Sequence, residues 1–325
     1  MKTGEDQLVQ KVAKALAFKG RGGLALGAGD DAALLVPRSG YQTILTCDWF
    51  LEGSHFLRDK HPADSIGWKC LARAVSDIAA MGGEPRQFLL SLALPKTHTG
   101  RWLDRFLTGL ARATRRLGCQ LAGGDTTRSD DLLINVTVVG EIRRGRAVLR
   151  SGAKRGDLVF VSGRLGEAEL GLQWLRQGRA ARHRNSPCIR KHLYPEPRLA
   201  LGRWLAEKRI ATAMMDLSDG LSTDLPRLCA ASRVGARIET DRIPTVQVRA
   251  RKNQVHLDVT KLALNGGDDY ELLFTVRPSE ARRVPRVFGG LPLSCIGEIS
   301  RERRLVLTGS GGREETLVPR GWDPF

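Results

Sequence analysis

Segments with helical periodicity alternate along this chain with segments that have the two-residue periodicity of strands. In the first half, a strand pattern at residues 43–47 precedes a helical pattern from about Ser65 to Met81 and the apolar run Phe88 to Leu94. A second helical pattern from about Arg101 to Leu117 leads to the alternating strand Leu132 to Val139. This order predicts an α/β or α+β domain.

A polar, glycine-containing connector (SGAKRGD) near Arg150 is followed by LVFVSG, which starts a new strand. We place a domain boundary there, with one domain over residues 1–150 and another over 151–325, since 325 residues suffice for two apolar cores. The second half predicts helices after Gly166, near Arg198–Lys208 and over Asp219–Ser232, a loop over Thr240–Asn253, and strands near 211–215, 236–239, 270–276, 292–299 and 304–308.

The formal charge of +17 raises the question of nucleic-acid binding. The densest basic stretch, Arg176 to Lys191, has no interleaved aromatic residues on which bases could stack, and the remaining excess is spread along the chain. We therefore expect no nucleic-acid partner, although a basic nucleic-acid-binding protein stays open as an alternative from another class.

The six cysteines are scattered and form no C-x-x-C pair, so neither a zinc site nor a redox motif is indicated. The N-terminus has the pattern of a polar amphipathic helix, and no segment reaches the roughly 18 consecutive apolar residues of a membrane span. We expect a cytoplasmic enzyme with no membrane partner.

Acidic residues gather in glycine-rich and strand-end contexts. The five clusters are GAGDDAAL at 27–34, TCD at 46–48, AGGDTTRSDD at 122–131, DLSDG at 216–220 and NGGDDYELLF at 265–274. Glycine lets backbone amides approach a ligand, and aspartate supplies the hard oxygen ligands that Mg²⁺ prefers. One cluster alone is more typical of a turn, but five in a basic chain indicate a Mg-phosphate site.

Two placements support this interpretation. Helical periodicity puts Asp77 on the apolar stripe with Cys70 and Ala74, where a carboxylate needs a hydrogen bond, an ion partner or a cation, unless it reaches water at the stripe's edge. Asp216 and Asp219 lie where a predicted apolar strand ends and a predicted helix begins, which is a common location for metals and phosphates. Helix capping by Ser218 or Asp219 would explain one of these acids but not both.

Other phosphate-binding and hydrolytic designs are excluded. The chain contains no G-x-x-x-x-G-K-[ST] run, no protein-kinase signature set and no G-x-S-x-G elbow. The Gly27 and Gly29 pair lacks the third glycine of a dinucleotide fingerprint.

The runs GAGDDAAL, SDIAAMGGEP, GGDTTR, RSGAKRGD, DLSDGL and GGDDYELLF, in this order, resemble the thiamine-monophosphate kinase family. That family belongs to the aminoimidazole-ribonucleotide synthase-like ATP enzymes. The resemblance implies an N-terminal α/β domain with a mixed sheet that binds ATP and Mg²⁺ and forms a homodimer, and a C-terminal α/β domain. It also implies that ATP phosphorylates thiamine monophosphate to give thiamine diphosphate and ADP, without a general base.

By the same resemblance, site residues carry over by position. The implied ligands of several Mg²⁺ ions are Asp31, Thr46, Cys47, Asp48, Asp77, Asp125, Asp216 and Asp219. The implied ATP contacts are Gly124, Asp125, Arg150 and Ser218, and the implied thiamine-phosphate contacts are His55, Asp268 and Trp322.

The chain departs from the family pattern at two of these positions. Cys47 stands where the family usually has threonine, and since sulfur is a poor ligand for Mg²⁺ we expect only its carbonyl to bind metal. Asp268 stands where the family commonly has glutamate, which shortens the side chain by one methylene.

Other enzymes of the superfamily remain open as alternatives, namely aminoimidazole-ribonucleotide synthase, selenophosphate synthetase and a hydrogenase-maturation dehydratase. The DLSDGL run and the GWDPF terminus favour the thiamine branch, and no cysteine precedes Cys47 to serve a selenophosphate synthetase. A nucleotide-binding regulator without activity is a further alternative.

Overall fold

The computed structural model describes residues 5–17, 20, 22–27, 32–179, 186–247, 257–309 and 311–323. The predicted ligand Asp31 lies outside these residues, as does part of the loop expected over 240–253. The described chain forms two compact units, the first comprising residues up to Ile78 and Gly83–Gly145, the second comprising Ala79–Gly82 and the chain from Arg146 onward.

The first unit contains helices α1 Glu5–Ala15, α2 Ala63–Ala80 and α3 Arg101–Leu117, and strands β1 Leu24–Leu26, β2 Leu34–Leu35, β3 Tyr41–Leu51, β4 Glu84–Leu94, β5 Gln120–Arg128 and β6 Leu133–Arg143. The second contains helices α4 Glu167–Arg176, α5 Pro187–Leu193, α6 Leu199–Glu207, α7 Leu221–Ser232 and α8 Val259–Asn265. Its strands are β7 Leu158–Ser162, β8 Ala211–Leu217, β9 Gly235–Glu239, β10 Glu271–Val276, β11 Val287–Phe288, β12 Leu291–Ser300, β13 Leu305–Thr308 and β14 Glu314–Thr316.

A four-stranded sheet in the order β3-β6-β4-β5 organises the first unit. The β4/β5 pair is parallel and the other pairs are antiparallel, which confirms the expected mixed sheet. Strand β6 alternates buried Ile134, Val136 and Val138 with partly buried neighbours, because successive side chains of a strand face opposite sides. One face of the sheet is therefore apolar and covered.

Helices α2 and α3 cross at two glycines. A Cβ atom on Gly67 would lie 2.0 Å from the Phe106 carbonyl oxygen, and one on Gly109 would lie 1.8 Å from the Asp64 carbonyl oxygen. The missing side chains let the two backbones approach closely.

The second unit is built on a larger sheet in the order β14-β13-β9-β12-β7-β10-β8, with β11 paired to β12. Only β13/β9 is parallel among the described pairs of this sheet. All six residues of β10 are buried, since the strand lies between β7 and β8 and contributes to the core.

The expected α/β architecture is confirmed, but several elements differ from the sequence interpretation. Among them, the glycine-rich segment around Gly123 is strand β5, helix α5 begins within the most basic stretch, and helix α8 was not expected. The residues of β5 do not alternate between apolar and polar side chains. The strand is defined by its backbone pairing with β4. Within the described residues, no helix has the length and apolar character needed to cross a membrane.

Candidate active site

Asp77 of α2 is joined to β3 by a hydrogen bond. The Thr46 hydroxyl donates to Oδ2 of Asp77 at 2.5 Å. The hydrogen bond expected for a carboxylate on the apolar stripe is therefore present. Asp48 lies two residues beyond Thr46, in the strand row that also contains the buried Ile44 and Phe50, so it belongs to the same side of β3 as Thr46.

Cys47 lies in the alternate row of β3 and is exposed. Its Sγ is 3.4 Å from Oδ1 of Asn135. The side-chain Nδ2 of Asn135 also donates to the Asp48 carbonyl oxygen at 3.2 Å. The Cys47 thiol therefore belongs to a different side of the strand from the Thr46 hydroxyl.

Gly124 and Asp125 are located on β5. A Cβ atom on Gly124 would lie 1.9 Å from the Leu90 carbonyl oxygen, so only glycine fits at this position. Asp125 is exposed and aligns across the sheet with Ser91, Asn135 and Trp49, whereas Asp48 aligns with Val136 in the next row. Since β3 and β5 are three strand spacings apart, roughly 14 Å, this sheet does not bring Asp48 and Asp125 together.

His55 follows β3 in the first unit. Its Nδ1 accepts a hydrogen bond from the Leu51 amide at 3.1 Å, and its ring centroid lies 6.0 Å from that of Phe50. Because Nδ1 accepts, the neutral ring carries its proton on Nε2. The local chain thus fixes both the orientation and the tautomer of this imidazole.

In the second unit, Asp216 is buried at the end of β8 and Asp219 follows in the turn before α7. Helix α7 begins after Gly220, and the amides of Asp219 and Gly220 donate to Oδ2 of Asp224 at 3.0 and 3.1 Å. Capping by Ser218 or Asp219 was therefore the wrong alternative, because the Asp224 side chain reaches back to satisfy these amides. Burial and the neighbouring Asp219 charge raise the pKa of Asp224 to about 7.

The segment that carries Asp268 crosses directly over the end of β8. The Asp268 amide donates to the Ser218 carbonyl oxygen at 2.7 Å, and the Tyr270 amide donates to the Leu217 carbonyl oxygen at 2.9 Å. These two hydrogen bonds place the predicted substrate residue next to the predicted phosphate residue.

The C-terminal GWDPF segment packs on the same turn. The Trp322 amide donates to the Asp219 carbonyl oxygen at 3.0 Å, and the Gly321 amide donates to the Thr223 hydroxyl at 3.1 Å. The structure therefore groups Ser218, Asp219, Asp268 and Trp322 within one unit. Arg150, also in this unit, is exposed, and its carbonyl oxygen accepts from the Ser232 hydroxyl at 2.7 Å.

A buried ion cluster supports this region, and the sequence analysis missed it. The Glu271 carboxylate, fully buried, is 2.9 Å from Nζ of Lys191 and 2.5 Å from Nη2 of Arg198. The adjacent Asp269 accepts from the amides of Gly166 and Ala168 at the start of α4. The cluster thereby fastens the helices α4, α5 and α6 to the strand that follows Asp268.

The donor chemistry fits Mg²⁺ in type, since the predicted ligands are carboxylate and hydroxyl oxygens. Over the described ranges, however, no group of three or more His, Cys, Asp and Glu side chains lies close enough together to hold a metal ion. The ligand set remains a prediction.

Comparison with known proteins gives two family matches. Residues 29–142 match the AIR synthase related protein N-terminal domain, and residues 154–310 match the corresponding C-terminal domain. The chain is 38% identical over 308 residues to thiamine-monophosphate kinase of Salmonella typhimurium, covering 92% of this chain and 91% of that protein. It is 35% identical over 307 residues to the enzyme of the same name from Bacillus subtilis, covering 92% and 93%.

Solved structures give the same result. The thiamine-monophosphate kinase of Stenotrophomonas maltophilia aligns with a TM-score of 0.81 and 35% identity, covering 94% of this chain and 96% of that one. The structure of AaThiL complexed with AMPPCP and TMP aligns with a TM-score of 0.76 and 31% identity, covering 99% and 97%. The hydrogenase maturation protein HypE in complex with ATP, at 19% identity and a TM-score of 0.77, shares the fold.

Proposed function

The chain belongs to the thiamine-monophosphate kinase family, and from that premise we propose that it transfers the γ-phosphate of ATP to thiamine monophosphate. The observation that carries the proposal is the similarity, over nearly the whole chain, to a protein solved with the ATP analogue AMPPCP and with TMP. The products are thiamine diphosphate and ADP.

The reaction needs no strong general base. The nucleophile is an oxygen of the acceptor phosphate, which is ionised at neutral pH. This oxygen forms a bond to the γ-phosphorus of ATP while the bond between that phosphorus and the β–γ bridging oxygen breaks, and ADP leaves. The protein's contribution is therefore positioning and charge compensation.

Residues of each unit take roles that follow the family pattern. In the first unit, Gly124 would let the backbone approach the ATP phosphates, and His55 would contact thiamine monophosphate. In the second unit, Arg150 and Ser218 would contact ATP, while Asp268 and Trp322 would bind the acceptor. The grouping of Ser218, Asp268 and Trp322 supports this assignment, because a carboxylate and an aromatic face suit a cationic thiazolium ring.

Several Mg²⁺ ions are also part of the proposal. Their ligands would come from Thr46, the Cys47 carbonyl, Asp48, Asp77 and Asp125, with Asp31 outside the described residues, and from Asp216 and Asp219 in the second unit. When bound, Mg²⁺ offsets the repulsion between two phosphate groups. The hydrogen bond from Thr46 to Asp77 supports the proposal, since it holds one carboxylate in place.

We further propose a homodimer. The open side of β3 exposes Leu45 by 69% and Trp49 by 55%, and Leu89 of β4 is 40% exposed on the same side. An apolar patch of this kind on a sheet is typical of a surface that another chain covers. Asp125 lies in the same row as Trp49, so a second copy seated on this face would lie against a predicted metal ligand.

A cytoplasmic location is proposed on two grounds. All six cysteines are free thiols, which is typical of proteins in a reducing compartment. ATP, the co-substrate, is also abundant there.

We expect no nucleic-acid partner despite the positive charge. A salt-sensitive gel shift with nucleic acid would contradict this expectation.

The function is tested by measuring thiamine diphosphate formed from Mg-ATP and thiamine monophosphate, with unphosphorylated thiamine and EDTA as controls. Turnover only with the monophosphate and the metal is the expected result. ATP binding without thiamine diphosphate formation would contradict the proposal and indicate a different acceptor.

A further inference from the structure

Asp268 and Tyr270 have an unusual backbone conformation. Their φ angles are +65° and +49°, in the left-handed region that non-glycine residues rarely adopt. Such residues cost on the order of 1–3 kcal/mol each and persist only where their surroundings determine the conformation, which often occurs at ligand sites. Two sets of contacts hold this conformation. The Asp268 and Tyr270 amides donate to the Ser218 and Leu217 carbonyl oxygens, and the neighbouring Asp269 and Glu271 carboxylates are buried and paired.

The conformation turns the Tyr270 side chain back onto Asp268. The Tyr270 hydroxyl donates to Oδ1 of Asp268 at 2.8 Å, although only one residue separates them. On the other side, Nδ1 of His192 lies 3.7 Å from Oδ2 of Asp268. Tyr270 is 2% exposed and the His192 side chain 1%, whereas the Asp268 side chain is 28% exposed.

This arrangement places an accessible carboxylate between two buried polar groups. An accessible carboxylate held in this way suits a cationic ligand group. An aspartate side chain without a hydrogen-bond partner could adopt several rotamers, and the hydrogen bond from the Tyr270 hydroxyl favours one of them.

We infer that Tyr270 and His192 are positioning residues that fix the Asp268 carboxylate for the cationic half of the acceptor. The inference rests on the proposed function. Its physical reason is that the aspartate is short and cannot reach far, so its oxygens must be held at one place. Preorganisation of this kind lowers the entropy lost when the acceptor binds.

The test compares Tyr270→Phe, which removes only the hydroxyl, with Tyr41→Phe as a matched control. Tyr41 lies in the first unit, with the Arg38 guanidinium carbon 3.7 Å above its ring. Tyr270→Phe is expected to raise the KM for thiamine monophosphate about tenfold, since hydrogen bonds to charged groups are the stronger ones. The kcat and the KM for ATP should stay within about twofold of the unmodified protein, as should every parameter of the control.

A double-mutant cycle separates positioning from a general structural role. In an Asp268→Ala background, Tyr270→Phe should have no more than about a twofold further effect, because the side chain that the hydroxyl orients has been removed. His192→Phe should raise the same KM by a smaller factor, in keeping with the longer distance.

An unchanged KM for thiamine monophosphate in Tyr270→Phe would overturn the inference. So would a double variant whose increase in this KM equals the product of the increases in Tyr270→Phe and Asp268→Ala. A lower melting temperature with both KM values altered would assign Tyr270 a structural role and also overturn it. In each of these cases the unmodified protein still forms thiamine diphosphate. Failure of the unmodified protein to do so would instead remove the proposed function, and this role with it.

Discussion

Thr46 donates a hydrogen bond of 2.5 Å to Asp77, 31 positions further along the chain. The contact joins β3 to α2 and holds a partly buried carboxylate in one orientation. We expect Thr46→Val to raise the Mg²⁺ concentration for half-maximal rate several-fold and to lower the free energy of unfolding by about 1–2 kcal/mol. Rates across a magnesium titration and urea unfolding measure the two effects. Thr43→Val, at an exposed position of the same strand, is the control and should change neither quantity.

Asp48 and Asp125 are predicted to bind metal from different rows of the first sheet. Asp48→Asn and Asp125→Asn should each lower kcat by about 10²-fold or more, because each removes a charge that compensates the phosphates. Melting temperatures should stay close to that of the unmodified protein. The exposed Asp59, which pairs with Lys60 at 3.3 Å, supplies the control variant Asp59→Asn. Full activity in either site variant would remove that residue from the metal site.

The Cys47 thiol lies on the opposite side of β3 from the Thr46 hydroxyl and contacts Asn135. Cys47→Thr should therefore keep kcat and the half-maximal Mg²⁺ concentration within about twofold, since the side chain is not expected to bind metal. The same magnesium titration checks this. A large gain in activity would mean that the side chain at position 47 does take part.

We expect the buried Glu271 to contribute to the acid stability of the second unit. Burial alone would raise its pKa, but Lys191 and Arg198 lower it from the ordinary 4.5 to about 2. Because the folded pKa is below the unfolded one, the stabilisation is fully present above about pH 4.5 and is lost as the pH falls toward 2. We expect Glu271→Gln to lower the free energy of unfolding by about 3–5 kcal/mol near neutral pH, since Lys191 and Arg198 lose the fully buried carboxylate that they share.

Urea unfolding at a series of pH values checks that expectation. The difference in the free energy of unfolding between Glu271→Gln and the unmodified protein should shrink below pH 4.5, where the stabilisation by the ionised Glu271 carboxylate begins to be lost. Glu207→Gln removes a carboxylate that is 57% exposed, and it should have little effect at any pH. A difference for Glu271→Gln that does not change with pH would contradict the assignment.

The α/β architecture and the family followed from sequence because they depend on local patterns. Helical and strand periodicity predicted α2, α3 and β6, and the position of Asp77 on the apolar stripe indicated that its carboxylate needs a hydrogen bond. Motifs such as DLSDGL contain their predicted site residues within a few positions. Such signals can be read before any tertiary contact is known.

Long-range contacts left no such signal. Glu271 lies 73 positions from Arg198 and 80 from Lys191, and nothing in the sequence around any of them indicates a pairing. Asp224 was not singled out because, in the sequence, it looks like any acidic residue of a helix. Its hydrogen bond with the Gly220 amide is visible only in the structure. Strand β5 was missed for a similar reason, since its backbone partner β4 lies earlier in the chain and its own residues lack apolar alternation.

The hydrogen bond from the Asp268 amide to the Ser218 carbonyl oxygen has a consequence for protein engineering. A segment transplanted from a relative to change the acceptor would have to reproduce the backbone path at Asp268 and Tyr270, or the turn after β8 would lose its partner. Altered acceptor preference should therefore be sought by exchanging both segments together, because exchanging one segment alone would disturb the turn that contains Ser218.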